Sequence, residues 1–127
     1  MKTPRLLQFI PAILVLALLG GCACLPQSGP RALVGAWTNS LGTVWTLHAD
    51  GTFDVDLNHD GQRDAWGKYT IVGDTLTLFA PGGHVPKGCR GPGTYHFKKS
   101  GCTMHFTLIK DACQPRVKNL LLDWHPK

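Results

Sequence analysis

Residues 56 to 64, Asp56-Leu57-Asn58-His59-Asp60-Gly61-Gln62-Arg63-Asp64, carry the densest run of oxygen donors in the chain. They fit D-x-N-x-D-G-x-x-D, a spacing that sets alternate oxygens around a calcium ion while Gly61 allows the sharp turn. In that reading Asp56, Asn58 and Asp60 ligate by side chain, Gln62 by its carbonyl, and Asp64 directly or through water. An EF-hand is excluded, because its last acidic ligand would fall at Gly67 and the chain contains no Glu. Asp, Asn and Gly are also what any exposed turn prefers, and the plain turn is the commoner use of such a stretch. Calcium loop and solvated turn are the two readings of these residues.

Other candidate chemistry is sparser. A Ser100-Gly101 turn pairs Phe97 with Met104 and Tyr95 with Phe106, which sets His96 across from His105 on the outer face. Two imidazoles are half a zinc or copper site, and His48, His59, His84 and His125 have no spacing that completes it. Surface histidines without a role are the commoner outcome. There is no G-x-S-x-G elbow, H-E-x-x-H pair, P-loop or framed pair of carboxylates, so no residue is assigned a catalytic role and the expectation is a protein that is not an enzyme.

The elements that hold these residues are strands. Trp45 and Leu47 alternate with polar neighbours, Ala49-Asp50-Gly51 turns, and Phe53, Val55 and Leu57 alternate on the return. A three-residue loop with Gly51 left-handed pairs Leu47 with Phe53 and Trp45 with Val55, placing the apolar side chains of both strands on one face. A two-residue turn at Gly73-Asp74 likewise pairs Ile71 with Leu76 and Tyr69 with Leu78. Trp66 falls out of phase with Tyr69 and Ile71 and is expected to point outward or cap the rim. Strands are expected at about 34–39, 43–48, 52–57, 65–72, 75–80, 93–99, 102–109 and 117–124, a meander of seven or eight that suits a small antiparallel up-and-down β-barrel. The fold class is all-β, consistent with scarce helix formers and with Gly, Thr, Trp and Phe in alternating runs.

Composition narrows the partners. The chain has 127 residues and a formal charge of +5. Lys2 and Arg5 belong to an export signal at 1–21, whose apolar run from Leu6 to Leu19 has only 14 residues, too few to cross a bilayer comfortably as a helix. Without them 11 basic side chains face 8 acidic ones, a net of +3 that is too small and too scattered for a nucleic-acid surface. Leu19-Gly20-Gly21-Cys22 resembles the lipobox of bacterial lipoproteins. That resemblance implies that Cys22 is the acylated, palmitate-bearing first residue of the mature chain, with the lipid bilayer as its partner. The simpler alternative is a cleaved signal with an incidental Cys. Ala23 after the Cys is similar to the outer-membrane sorting pattern of Gram-negative lipoproteins, which implies a domain lipid-anchored in the cell envelope and facing the periplasm. Residues 22–32, rich in Pro, Ser and Gly, form the tether, and 33–127 the barrel domain.

Gly35-Ala36-Trp37 resembles the G-x-W signature that opens the first strand of lipocalins and related calycin barrels. The resemblance implies that Trp37 plugs one barrel end under an Arg from near the chain's end, and Arg116 is the best match. It departs from the family in length, since 106 residues after the signal is short for a full lipocalin. With Cys22 lipidated, Cys24, Cys89, Cys102 and Cys113 remain, and four cysteines permit three pairings. Cys89-Arg90-Gly91-Pro92-Gly93-Thr94-Tyr95 with Asp111-Ala112-Cys113-Gln114-Pro115-Arg116 is similar to the end of small bacterial lipocalin-like domains, which implies a Cys89 to Cys113 bridge. Cys102, in phase with Met104, Phe106 and Leu108, reads as inward: a buried free thiol, or a partner for Cys24 if the tether folds back.

Two function classes follow. One is a binding protein holding a small apolar ligand in a cavity lined by Trp45, Phe53, Tyr69, Phe97 and Phe106. The other is an interaction, structural or inhibitor lipoprotein of the envelope in which the same aromatics fill the barrel and the loops contact an envelope protein; the Gly- and Pro-rich stretch from Pro81 to Pro92 reads as a barrel-mouth flap or a protein contact. An inward aromatic serves a pocket and a packed core equally well.

Overall fold

Alternation between residues 43 and 79 folds as a meander, and the strands after it carry the sheet around into a barrel. The computed structural model describes Cys24, Gly29 and residues 31–127. The export signal at 1–21 and the acylation site Cys22 lie outside the described residues, as does most of the tether. Among the described residues the strands are β1 (Gly35–Thr38), β2 (Val44–Leu47), β3 (Thr52–Asp56), β4 (Ala65–Val72), β5 (Thr75–Gly83), β6 (Gly93–Ser100), β7 (Thr103–Lys110) and β8 (His125–Pro126), with one helix, α1 (Gln114–Leu120), before β8. They form one antiparallel sheet in the order β7-β6-β5-β4-β3-β2-β1-β8. A bridge between Met104 and Trp124 brings the two ends of that sheet together, so the barrel is nearly closed.

The β2–β3 and β4–β5 hairpins have the expected register. Leu47 pairs with Phe53 and Trp45 with Val55; Ile71 pairs with Leu76 and Tyr69 with Leu78. One buried cluster results, containing Leu33, Trp37, Trp45, Leu47, Phe53, Tyr69, Leu76, Leu78, Tyr95, Met104, Phe106 and Trp124. Each large side chain fully buried there contributes about 1.5–3 kcal/mol. Between β4 and β5 the register slips at Gly67, where a Cβ would collide with the Phe79 carbonyl and the two backbones come too close for any other residue.

Three sequence expectations are corrected. The eighth strand is not at 117–124: residues 114–120 are helical, with Pro115 in the first turn and Val117 and Leu120 buried at i, i+3 spacing. The pairing is made instead by His125 and Pro126, opposite Thr38 and Trp37. In the β6–β7 hairpin the turn residues are Gly101 and Cys102, so Phe97 faces Phe106 and Ser100 faces Thr103. That two-residue difference in register sets His96 opposite Thr107 and His105 opposite Lys98, and the cross-strand histidine pair does not form. Cys102 accordingly sits exposed in the turn, where it is bonded to Cys24, and Leu108 is 45% exposed instead of inward.

Candidate functional site

Strand pairing sorts the loops onto the two ends of the barrel. Thr38 lies opposite Val44, Val44 opposite Asp56, Val55 opposite Ala65, and Ala65 opposite Gly83. The connections 39–43, 57–64, 84–92 and 111–124 therefore emerge at one end, the mouth. The tight turns at 48–51, 73–74 and 101–102 close the other.

At the mouth a cavity of about 170 Å³ is lined mainly by apolar groups, among them Trp45, Phe53, Val55, Leu78, Ala80 and Trp124. Its inner limit is an aromatic cluster. The Trp45 ring meets Trp124 at 5.4 Å, Phe106 at 5.6 Å and Phe53 at 6.2 Å between centroids, the last edge to face. The Trp124 indole N–H donates to the Leu120 carbonyl at 3.2 Å, which ties the wall of the cavity to α1. Of the five aromatics expected to line a pocket, Trp45 and Phe53 do. Tyr69 and Phe106 belong to the packed core, and Phe97 packs against it. The Tyr69 hydroxyl donates to the His48 carbonyl, and burial, then the nearby Asp50 carboxylate, push its phenol above the ordinary value.

One side of the cavity is polar and already satisfied. Asn119 Nδ2 donates to Thr43 Oγ1 at 3.1 Å, and Asn39 Nδ2 donates to Asn119 Oδ1. Asn39 Oδ1 accepts the N–H groups of Leu41 and Thr43 at 3.1 and 3.3 Å. One short side chain thus caps the β1–β2 turn and holds the helix over it.

Another part of the wall is pinned by the stretches around Cys89 and Cys113, which are disulfide-bonded with a Cα separation of 4.5 Å. Arg116 reaches across with Nε 2.6 Å from Asp111 Oδ2 and Nη2 2.7 Å from Asp111 Oδ1, a bidentate pair. Its remaining donors reach the Gly91 carbonyl at 3.0 Å and the Cys89 carbonyl at 3.4 Å. The Tyr95 hydroxyl donates to Asp111 Oδ2, and the Cys113 N–H donates to Oδ1 at 2.8 Å. Burial pushes the Asp111 carboxyl up, but the bonds from Arg116, Tyr95 and Cys113 outweigh it and hold the group below its ordinary value. Burial, then the same carboxylate, drive the Tyr95 phenol far above its usual range. Gly93 is required beside this cluster because a Cβ there would strike the Asp111 carboxylate.

Arg116 was expected over Trp37, and the structure places it on Asp111 instead. The guanidinium is held by the carboxylate and two carbonyls, while the Trp37 indole N–H donates to the Leu33 carbonyl at 2.9 Å. Trp37 is buried at 6% exposure, and Gly35 before it takes a φ of 131°, a conformation that only glycine adopts easily. Among the described residues a cation–π contact forms between Arg63 and Trp66, at 4.1 Å, on the half-exposed rim.

Residues 56–64 lie at the mouth with their side chains turned onto their own loop. Asp56 accepts the N–H groups of Gly61 at 2.8 Å and Asp60 at 3.2 Å; Asn58 Oδ1 also accepts from Asp60, Asp60 from Gln62 at 2.8 Å, and Asp64 from Leu57 at 2.7 Å. His59 has a φ of 59° and Gly61 one of 83°. Among the described residues no group of three or more His, Cys, Asp or Glu side chains is gathered to hold a metal ion. Two of the histidines turn to single carboxylates, His105 to Asp123 and His48 to Asp54, each at 2.7 Å.

The stretch from Pro81 to Pro92 was expected as a mouth flap or protein contact; its first three residues belong to β5, and His84, Val85, Pro86 and Cys89 line the cavity, whereas α1, Trp124 and the Asn39-Thr43-Asn119 corner were not expected there. Pro115 followed by Val117 and Leu120 was the available signal for the helix. No known protein family matches the chain, and neither does any curated protein or solved structure.

Proposed function

We propose that this chain is a lipoprotein of the bacterial envelope, acylated at Cys22 and retained at the outer membrane, whose barrel binds a small apolar ligand in its mouth. The observation that carries the reading is the cavity of about 170 Å³ bounded by Trp45, Phe53, Leu78, Ala80 and Trp124. An apolar cavity of about 150 Å³ takes a guest the size of benzene, whereas drug-sized ligands need roughly 300 Å³ or more. The ligand class is therefore a single ring or a short alkyl chain. The lipobox at 19–22 and the G-x-W resemblance at 35–37 support the anchor and the lipocalin-like character of the barrel.

Native mass spectrometry of the domain, exported to a periplasm with Cys24 retained and purified gently, tests this. The expected result is an apolar passenger that leaves on collision and is absent from Ala80→Phe, in which the new ring occupies the cavity. A bare mass in both, with no uptake of benzene or xenon by the wild-type domain, refutes the binding role.

A second reading has its own observation. Trp45, Phe53, Phe106 and Trp124 interlock across the barrel, so the centre beyond the mouth is filled with side chains. In that reading the protein is a non-enzymatic interaction or inhibitor lipoprotein, and the loops at the mouth contact an envelope protein. Cross-linking from Lys87 in intact cells to one defined partner, together with an empty cavity, is the outcome that favours it.

A further inference from the structure

The disulfide between Cys24 and Cys102 settles which end of the barrel the amino-terminal segment leaves from. Cys102 is a turn residue of the β6–β7 hairpin, at the closed end, and its Cα is 5.1 Å from that of Cys24. β1 begins at the same end, because Gly35 lies opposite Leu47 beside the 48–51 turn. The mouth, with its cavity and loops, is at the far end of strands of eight and nine residues. At about 3.3 Å per residue and a tilt near 40°, eight residues separate the two ends by about 20 Å.

We infer that the domain stands on its closed end against the lipid surface, with the cavity mouth facing away from the bilayer. This rests on acylation of Cys22, the reading proposed above. From Cys22 to Cys24 the backbone spans at most about 7 Å, so with the disulfide formed the acylated residue lies within about 12 Å of the Cys102 turn. Without that bond the leash would run to Leu33, the first large side chain locked in the core, and could reach about 38 Å. The long leash lets the barrel roll onto any face; the short one cannot reach around a barrel about 20 Å tall.

A competing pull comes from exposed apolar residues at the mouth. Leu41 is 65% exposed, and Leu57, Leu108, Ile109 and Leu121 are each close to 45% exposed. Left free, such a rim would favour dipping into lipid. The covalent limit overrides that preference, so the rim and the cavity are turned to the aqueous space, and the ligand enters from water instead of from the membrane.

The test uses the full lipidated chain in phosphatidylethanolamine and phosphatidylglycerol vesicles that carry a headgroup-linked nitroxide quencher. A genetically encoded fluorescent amino acid is placed either at Val72, 78% exposed beside the 73–74 turn, or at Lys87 in the mouth loop. With the ends about 20 Å apart, quenching at Val72 should exceed that at Lys87 by about threefold or more. Replacing the bond by Cys24→Ser with Cys102→Ser should collapse that ratio towards one. Equal quenching at the two positions in the disulfide-bonded chain, or stronger quenching at Lys87, overturns the orientation. An unchanged ratio in the double serine variant overturns the role of the bond. Flotation of the vesicles is read separately: a chain that does not float, or a Cys22→Ser variant that floats as well as wild type, refutes the acylation reading, and the orientation falls with it.

Discussion

Replacing Arg116 by Ala removes the partner of a carboxylate whose side chain has 0% exposure, while Arg116 itself is 13% exposed. Breaking a buried ion pair by deleting one member costs about 3–5 kcal/mol, because the other charge is left without its partner. Two facts place the cost near the lower end. Asp111 keeps the Tyr95 hydroxyl and the Cys113 N–H as donors, and the guanidinium touches solvent. Loss of about 3 kcal/mol lowers the melting temperature of a domain of this size by about 12 to 24 °C. Thermal and urea unfolding of the oxidised domain measure it, and a double-mutant cycle isolates the pair. Arg116→Ala with Asp111→Ala should cost less than the two single changes together, by about 1 kcal/mol or more, whereas Arg116→Ala with Trp37→Phe should be additive. A shift below about 4 °C, or coupling to Trp37 and none to Asp111, refutes the assignment of Arg116 to the carboxylate.

Acid should act on the same cluster: the folded-state value of Asp111 is depressed, so its stabilisation is complete above the ordinary carboxylate range and is lost as pH falls through the lowered value. The melting temperature of wild type should therefore fall more steeply below about pH 4 than that of Asp111→Asn. Tyr95 has the opposite sign: its raised value gives stability that is present below the ordinary phenol range and is lost as pH rises towards the folded-state value. In an absorbance titration its tyrosinate should appear late and together with unfolding. Paired Cys89→Ser and Cys113→Ser changes should cost about 3.5 kcal/mol by the entropy of a 24-residue closed loop, and should also weaken uptake of benzene because the bridge lines the cavity. The 56–64 loop is closed by its own side chains, so chelator should leave the melting temperature unchanged, while Asp56→Ala lowers it only slightly, because the two N–H groups it frees are exposed and bond to water. A calcium-dependent rise that Asp60→Asn abolishes would assign the loop to the metal instead.

Where turn chemistry and alternation agreed, register could be read directly. Gly51 with Leu47 and Phe53, and Gly73-Asp74 with Ile71 and Leu76, have few other solutions because a one-residue slip turns every apolar side chain to water. The β6–β7 hairpin lacked that protection: a two-residue slip keeps Phe97 and Phe106 on the inner face, so Ser100-Gly101 and Gly101-Cys102 were equally consistent with the pattern. At α1, Val117, Asn119 and Leu121 imitate a strand, while Val117 and Leu120 at i, i+3 with Pro115 in the first turn are the helical signal. The Arg116 partner was misplaced because a guanidinium goes to the buried carboxylate within reach, and Asp111 lies only five positions away across a turn. The cavity was half legible. Trp45 and Phe53 are set by strand phase, but its other walls come from 84–92, α1 and Trp124, brought together over long sequence distances that alternation does not encode.

The closure between Met104 and Trp124 also fixes the order in which the molecule can finish folding. From β1 to β7 every strand pairs with its neighbour in sequence, so those contacts can form progressively as the chain emerges. Residues 124 to 127 join β1 to the far end of the sheet, through Ala36, Trp37 and Thr38 on one side and Met104 on the other. Until they arrive, the seven strands are a curved sheet with two open edges, each able to recruit a strand from another copy. A shortened chain lacking residues 124–127 would therefore reveal itself first as self-association during synthesis, before any loss of binding could be measured.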